Sequence, residues 1–183
     1  MPQRERHEVL YRGRMNVETT RAFLLSLPHV VETRQWGGAL VYWVGDKAIG
    51  GKMCAILNPD AISGGEESVF RLVTYPTTPE HFAELVEIEG IRPAKYLARV
   101  SWVSVHRWDV FRTSEWQQEL RAAHALKLAK LPPKTQKVLA LPKADQKRII
   151  AEQRKLLAAR EAQKAAAKGA SESRARRRTG PGS

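Results

Sequence analysis

Apolar and polar positions alternate along this chain in ways that predict a helix, a series of strands, more helix and a long polar segment. In "MNVETTRAFLLSLP" (15–28), Thr20, Phe23, Leu24 and Leu27 recur at helical spacing, which predicts one buried face. Asn16 offers a side-chain oxygen to a free N–H of the first turn, and Pro28 stops the helix. "ALVYWV" (39–44) and "KAIGGKMCAIL" (47–57) read as strands joined at Gly45-Asp46, residues that tolerate the positive φ of a tight turn. Gly50-Gly51 predicts a bulge or bend inside the second run. A turn-rich loop (58–68) leads to a third strand, "VFRLVTY" (69–75).

The next helix, in "TPEHFAELVEIEG", is capped by Thr78, shows Phe82, Leu85 and Val86 on one face, and ends at Gly90. "IRPAKYLA" is irregular, and "RVSWVSVHRW" (99–108) is a further strand. Alternation puts Val100, Trp102, Ser104 and His106 on its helix-covered face, with Arg99, Ser101 and Val103 on the other. "TSEWQQELRAAHALKLAKL" (113–131) is a long helix capped at Thr113 or Ser114. Its inner stripe is Trp116, Leu120, Ala123 and Leu126 or Leu128. Pro132-Pro133 end it.

Residues 144–168 have Ile149, Ile150, Leu156 and Leu157 as their only sizeable apolar side chains. This pattern predicts a solvent-exposed helix, with Asp145 at its positive end. The expected class is α+β: an antiparallel sheet covered on one face by helices, then an exposed basic helix and a disordered tail. The expected divisions are an extension (1–14), an α/β domain (15–131), a basic linker and helix (132–168) and a disordered basic tail (169–183).

Charge changes this picture more than composition does. The chain of 183 residues carries a net charge of +12. Residues 1–126 hold 15 Lys/Arg and 15 Asp/Glu, whereas residues 127–183 hold 16 Lys/Arg and 4 Asp/Glu, so the whole excess lies in the C-terminal third. A basic block of this kind attracts polyanions through counterion release. No apolar run is long enough to span a membrane, and "MPQRERHEVLYRGRMN" lacks the apolar core of a secretory signal. The one cysteine, Cys54, fits a free thiol in a reducing compartment. A cytoplasmic protein is expected.

Candidate chemistry is sparse. "GGALVYWVGDKAIGGK" has glycines but not the strand–loop–helix context of a phosphate loop. His7, His29, His81, His106 and His124 form no metal-ligand pair, and His81 with Glu84 reads as surface chemistry. Ser63 sits in a polar loop rather than a strained elbow. Cys54, between Met53 and Ala55, reads as a small buried apolar residue. The acidic run "EHFAELVEIE" lacks the loop geometry of a calcium site. No catalytic residue, cofactor or metal is expected, and the protein is not expected to be an enzyme. Trp36, Trp43, Trp102, Trp108 and Trp116 fit a core better than a set of stacking faces.

Three motifs in order resemble the MmcQ/YjbR-like family. The first is Leu27, Pro28, Glu32, Trp36 and Gly37; the second is the Gly-x-Lys turn at Gly45 and Lys47. The third is Pro93, Tyr96, Arg99, Trp102 and Val105. The resemblance covers residues 15–131 and departs at Ser101, where members commonly carry His. It implies a small α/β domain similar to the frataxin-like arrangement, and a DNA-binding role through hairpin contacts. Iron binding is not expected, because the first helix carries only Glu18 where a frataxin-like fold has an acidic ridge.

Resemblance and charge thus imply a nucleic-acid partner, DNA in preference to RNA, with no membrane and a monomer favoured. The expected contacts in the domain are Lys47, Lys52, Arg92, Lys95 and Arg99. Those of the basic extension are Lys143, Lys147, Arg148, Arg154, Arg174, Arg176, Arg177 and Arg178. The alternative is a module that binds a protein or small ligand on the open face of the sheet.

Overall fold

The computed structural model describes residues 14–59 and 72–178, with side chains as far as Ala167. The N-terminal extension, most of the 58–68 loop, the first residues of the expected third strand and residues 179–183 lie outside the described residues. The chain forms two compact units, divided between Gln136 and Lys137.

Helix α1 (Val17–Ser26) starts where expected. Asn16 Oδ1 accepts the Thr19 N–H at 2.9 Å, and Thr19 Oγ1 accepts the Asn16 N–H at 2.9 Å, so two otherwise free donors are satisfied reciprocally. Thr20, Phe23 and Leu24 form its buried face. Pro28 follows the final Leu27 cap.

Six strands make one antiparallel sheet: β1 (Val30–Gln35), β2 (Ala39–Val44), β3 (Lys52–Leu57), β4 (Val73–Pro76), β5 (Ile91–Pro93) and β6 (Trp102–Val105). Their order is β1-β2-β3-β4-β6-β5, so β5 is an edge strand and β6 lies inside it. Helix α2 (Pro79–Leu85), capped by Thr78 at the His81 N–H, carries the chain from β4 to β5. Helix α3 (Thr113–Ala129) follows β6, and α4 (Pro133–Leu139) and α5 (Lys143–Arg178) complete the described helices. The α+β class with an antiparallel sheet is as expected.

Register separates the two faces of the sheet. Tyr75 pairs with Val103, and the Tyr75 hydroxyl donates to Glu119 of α3 at 3.1 Å. Tyr42 pairs with Glu32, whose carboxylate meets Arg21 of α1 at 2.7 Å. This is the helix-facing side. Val41, Ile56, Thr74 and Ser104 form a cross-strand row on the other side, and Trp102 continues it along β6. Trp102 is therefore a core residue, but it packs with Ala39, Val41, Ile56 and Ala94 rather than on the Tyr75 side.

Several local expectations change. Residues 30–35 form a strand, and Ile91–Pro93 pairs with β6 instead of being irregular. The β2–β3 connection is longer than a two-residue turn. Asp46 accepts the Ala48 N–H at 2.8 Å and caps a 3-10 turn at Lys47–Ile49, so strand β3 resumes only at Lys52. Arg99 and Val100 lie in another 3-10 turn, and Ser101 at φ 57° breaks the alternation before β6. Val100 consequently does not share a strand face with Trp102. Helix α3 begins without a Thr113 or Ser114 N-cap; Glu115 reaches back to accept the Arg112 N–H at 2.6 Å. Its buried stripe includes His124, whose Nε2–H donates to the Pro28 carbonyl at 2.8 Å, in place of Leu126 or Leu128.

Helix α5 continues to Arg178, ten residues beyond the expected end at 168. Gly169 is the weakest helix former in "KGASESRARRR", with Ser171 and Ser173 next; its cost of about 1 kcal/mol is set against flanking Ala, Glu and Arg.

Candidate nucleic-acid interface

The expected basic residues fall into separate groups. Lys47 lies in the 3-10 turn, its Nζ 5.7 Å from the Trp43 ring centroid. Trp43 is half-buried and donates its ring N–H to Thr33 Oγ1 at 2.9 Å, so it is held as part of the fold. Lys52 opens β3 and is half-buried. Burial, then the neighbouring charges of Lys130 and Lys52, lowers the pKa of Lys127 from its ordinary range. Lys127 Nζ sits 5.2 Å from the Trp102 ring centroid, where the ring's negative face offsets part of the burial cost. Lys127 did not stand out in the sequence, because a lysine on a helix is ordinarily a solvated side chain.

A second group lies at the β5 edge. Arg92, Lys95, Tyr96, Arg99 and Val100 are all exposed. Between Ile91 and Trp108 the chain has four Lys/Arg and no Asp or Glu. Of these four, Arg107 is engaged by Glu89 at 3.0 Å and Asp109 at 3.2 Å. Arg92, Lys95 and Arg99 have no ion pair among the described residues. Carboxylates are concentrated instead near α2, at Glu80, Glu84, Glu87 and Glu89. The sheet edge is thus locally cationic although the sequence up to residue 126 is neutral.

The third group is α5. Its 36 residues carry twelve Lys/Arg and four Asp/Glu. Lys143, Lys147, Arg148 and Arg154 are exposed, and every residue from Arg154 to Ala167 is exposed. Arg148 contacts Asp145 at 3.3 Å, one turn earlier. Arg174, Arg176, Arg177 and Arg178 continue the helical backbone; their side chains lie outside the described residues. At about 1.5 Å per residue, α5 is a basic rod roughly 54 Å long.

Cys54 is buried, and burial pushes its thiol up to about 12, leaving almost no thiolate at neutral pH. Among the described residues no group of three or more His, Cys, Asp or Glu is arranged to hold a metal ion. His81 is engaged on both ring nitrogens, by Glu84 at 3.0 Å and Glu119 at 2.9 Å. Among the described residues no helix is long and apolar enough to cross a membrane.

A six-stranded antiparallel sheet packed with helices, with a locally cationic edge, defines a small α+β domain that is followed by the basic helix α5. The YjbR family model matches residues 25–126, and the chain belongs to the YjbR family. It is also similar to the crystal structure of Deinococcus radiodurans protein DR2400, which carries the domain DUF419. The two share 25% identity at a TM-score of 0.56, over 70% of this chain and 91% of that one. No curated protein matches.

Proposed function

We propose that this YjbR-family protein is a non-enzymatic nucleic-acid-binding protein, with DNA as its preferred partner and α5 supplying most of the phosphate contacts. The observation that carries this reading is the twelve-to-four excess of basic over acidic residues in α5, of which Lys143, Lys147, Arg148, Arg154, Lys155, Arg160 and Lys164 are exposed. From Arg154 to Ala167 every side chain of α5 is exposed, and duplex affinity is dominated by phosphate neutralisation. The family resemblance implies the same partner. Burial weighs against the alternative of a ligand on an open sheet face, because Val41, Ile56, Thr74 and Trp102 are buried on that side.

The test is a salt titration of duplex binding by the full chain and by a variant with Lys147, Arg148, Lys155, Arg160 and Lys164 changed to Gln. The variant is expected to bind more weakly at moderate salt, with a log–log salt slope shallower by about 0.9 for each lost phosphate contact. Equal slopes and affinities would remove α5 from the mechanism. Absence of duplex binding by the unaltered chain would remove the DNA reading.

A further inference from the structure

We infer that the β5–β6 connection is a base-stacking site for unpaired nucleotides, with Tyr96 as the stacking face and Arg92, Lys95 and Arg99 as its phosphate contacts. This rests on the nucleic-acid reading above and assigns the sheet edge a ligand distinct from the duplex grip of α5.

Tyr96 is 72% exposed and adopts φ 66°. A bulky residue in the left-handed region is strained, and such strain persists where surrounding structure enforces it. Here that structure is explicit. Leu97 and Ala98 N–H groups both donate to the Ala94 carbonyl, at 3.0 and 2.8 Å. Val100 N–H donates to Leu97 at 3.1 Å, and Ser101 N–H to Ala98 at 2.9 Å. Ala94 N–H to the Trp102 carbonyl at 2.9 Å closes the loop onto β6.

The inward side of this loop is anchored by Ala94 and Leu97, which pack with Trp102, Val41 and Ile56. Its outward side presents Lys95, Tyr96, Arg99 and Val100. An aromatic ring is thereby held in water on a rigid support instead of being folded into the core. Lys95 Nζ lies over the Tyr96 ring, 5.5 Å from its centroid, so a cation sits on one face of the ring and the opposite face is the one offered to a base. No carboxylate interrupts the chain from Ile91 to Trp108.

These features select one ligand chemistry. Stacked bases within a duplex have no free face for a protruding ring, whereas an unpaired base does. Stacking tolerates any base, and cations nearby track the backbone. An exposed ring with Lys95 on it, in a segment whose Arg92 and Arg99 are exposed and have no ion pair among the described residues, matches a short single-stranded segment.

The experiment is fluorescence anisotropy with the full chain, a labelled oligothymidylate and a labelled duplex of equal length. Tyr96→Ala and Tyr96→Asn are expected to weaken oligothymidylate binding by roughly 5- to 100-fold, as loss of one base–aromatic stack implies. Both should leave duplex affinity within about twofold, since α5 carries that affinity. Asn tolerates the left-handed backbone, so it separates loss of the ring from loss of the loop. Tyr96→Phe keeps the face and should bind as the unaltered chain does. Changing Arg92, Lys95 and Arg99 together to Gln should make the single-strand salt slope shallower by about 2. Unchanged oligothymidylate binding by both ring-less variants, or an equal loss for duplex, overturns the inference alone. Failure of the unaltered chain to bind either probe overturns the nucleic-acid reading and this inference with it.

Discussion

His81 on α2 places its Nε2 2.9 Å from the Glu119 carboxylate of α3, while its Nδ1 lies 3.0 Å from Glu84. Tyr75 of β4 donates to the other Glu119 oxygen at 3.1 Å. One imidazole thus joins two helices, and through Glu119 the central sheet. Burial works against protonating His81, but its hydrogen bonds to Glu84 and Glu119 and their charges together raise its pKa above the ordinary 6.5. A raised folded value means that the associated stability is complete below about 6.5 and is lost as pH rises through the folded pKa. The melting temperature of the protein should therefore fall across that window relative to His81→Gln, which removes the titration. Parallel melting curves at each pH would refute this.

Glu32 titrates in the opposite direction. The Arg21 hydrogen bond lowers its carboxyl pKa, against burial, with the Tyr42 hydroxyl assisting at 2.9 Å. Stability from this contact is present above the unfolded value and is lost as pH falls through the depressed folded value. Glu32→Gln should leave acid unfolding less steep, as followed by far-ultraviolet circular dichroism. An identical acid transition would separate Glu32 from acid sensitivity.

Gly51 has no room for a side chain. A Cβ there would lie 2.0 Å from the Gly45 carbonyl oxygen and 2.8 Å from that of Asp46. Both obstacles are backbone in the turn that joins β2 to β3. Gly51→Ala is expected to destabilise the protein by about 3 kcal/mol or more in urea titration, at the upper end of single substitutions. Gly37 is the control for space: its Cβ position is open, and only its φ of 77° opposes substitution.

Cys54 should be inert in the native state. Its burial and its raised thiol pKa together predict negligible modification by an aromatic disulfide reagent at neutral pH, against rapid modification in denaturant. Native modification on the timescale of the denatured control would contradict the burial.

Much of the helical framework was legible because its signals are local. Asn16, Thr78 and Pro28 act on backbone within one turn, so their effect does not depend on the rest of the fold, whereas the second helix stops at Leu85 rather than at the expected Gly90. Residues 30–35 carried no comparable signal. "VVETRQ" mixes apolar, acidic and basic residues, and becomes a strand by pairing Val30 with Val44 through Gln35 with Ala39. Strand β5 has only three residues, too few for periodicity, and depends on its partner β6. The Lys-Tyr pair at 95–96 was visible as residue types, but exposure of the ring was not. The large separation between Arg21 and Glu32, and between His81 and Glu119, explains why neither pair was evident.

Charge segregation, the caps at Asn16 and Thr78 and the class of fold follow from the sequence itself, since net charge is additive and caps and periodicity are short-range. Tertiary structure alone decided which aromatic is buried and which faces water. Trp102 is 3% exposed and Tyr96 is 72% exposed, although six residues separate them and either ring is able to fill a core or stack on a base. The difference arises because the loop from Ala94 to Ser101 closes on its own carbonyls. That closure turns Ala94 and Leu97 inward onto Trp102 and leaves Tyr96 facing water.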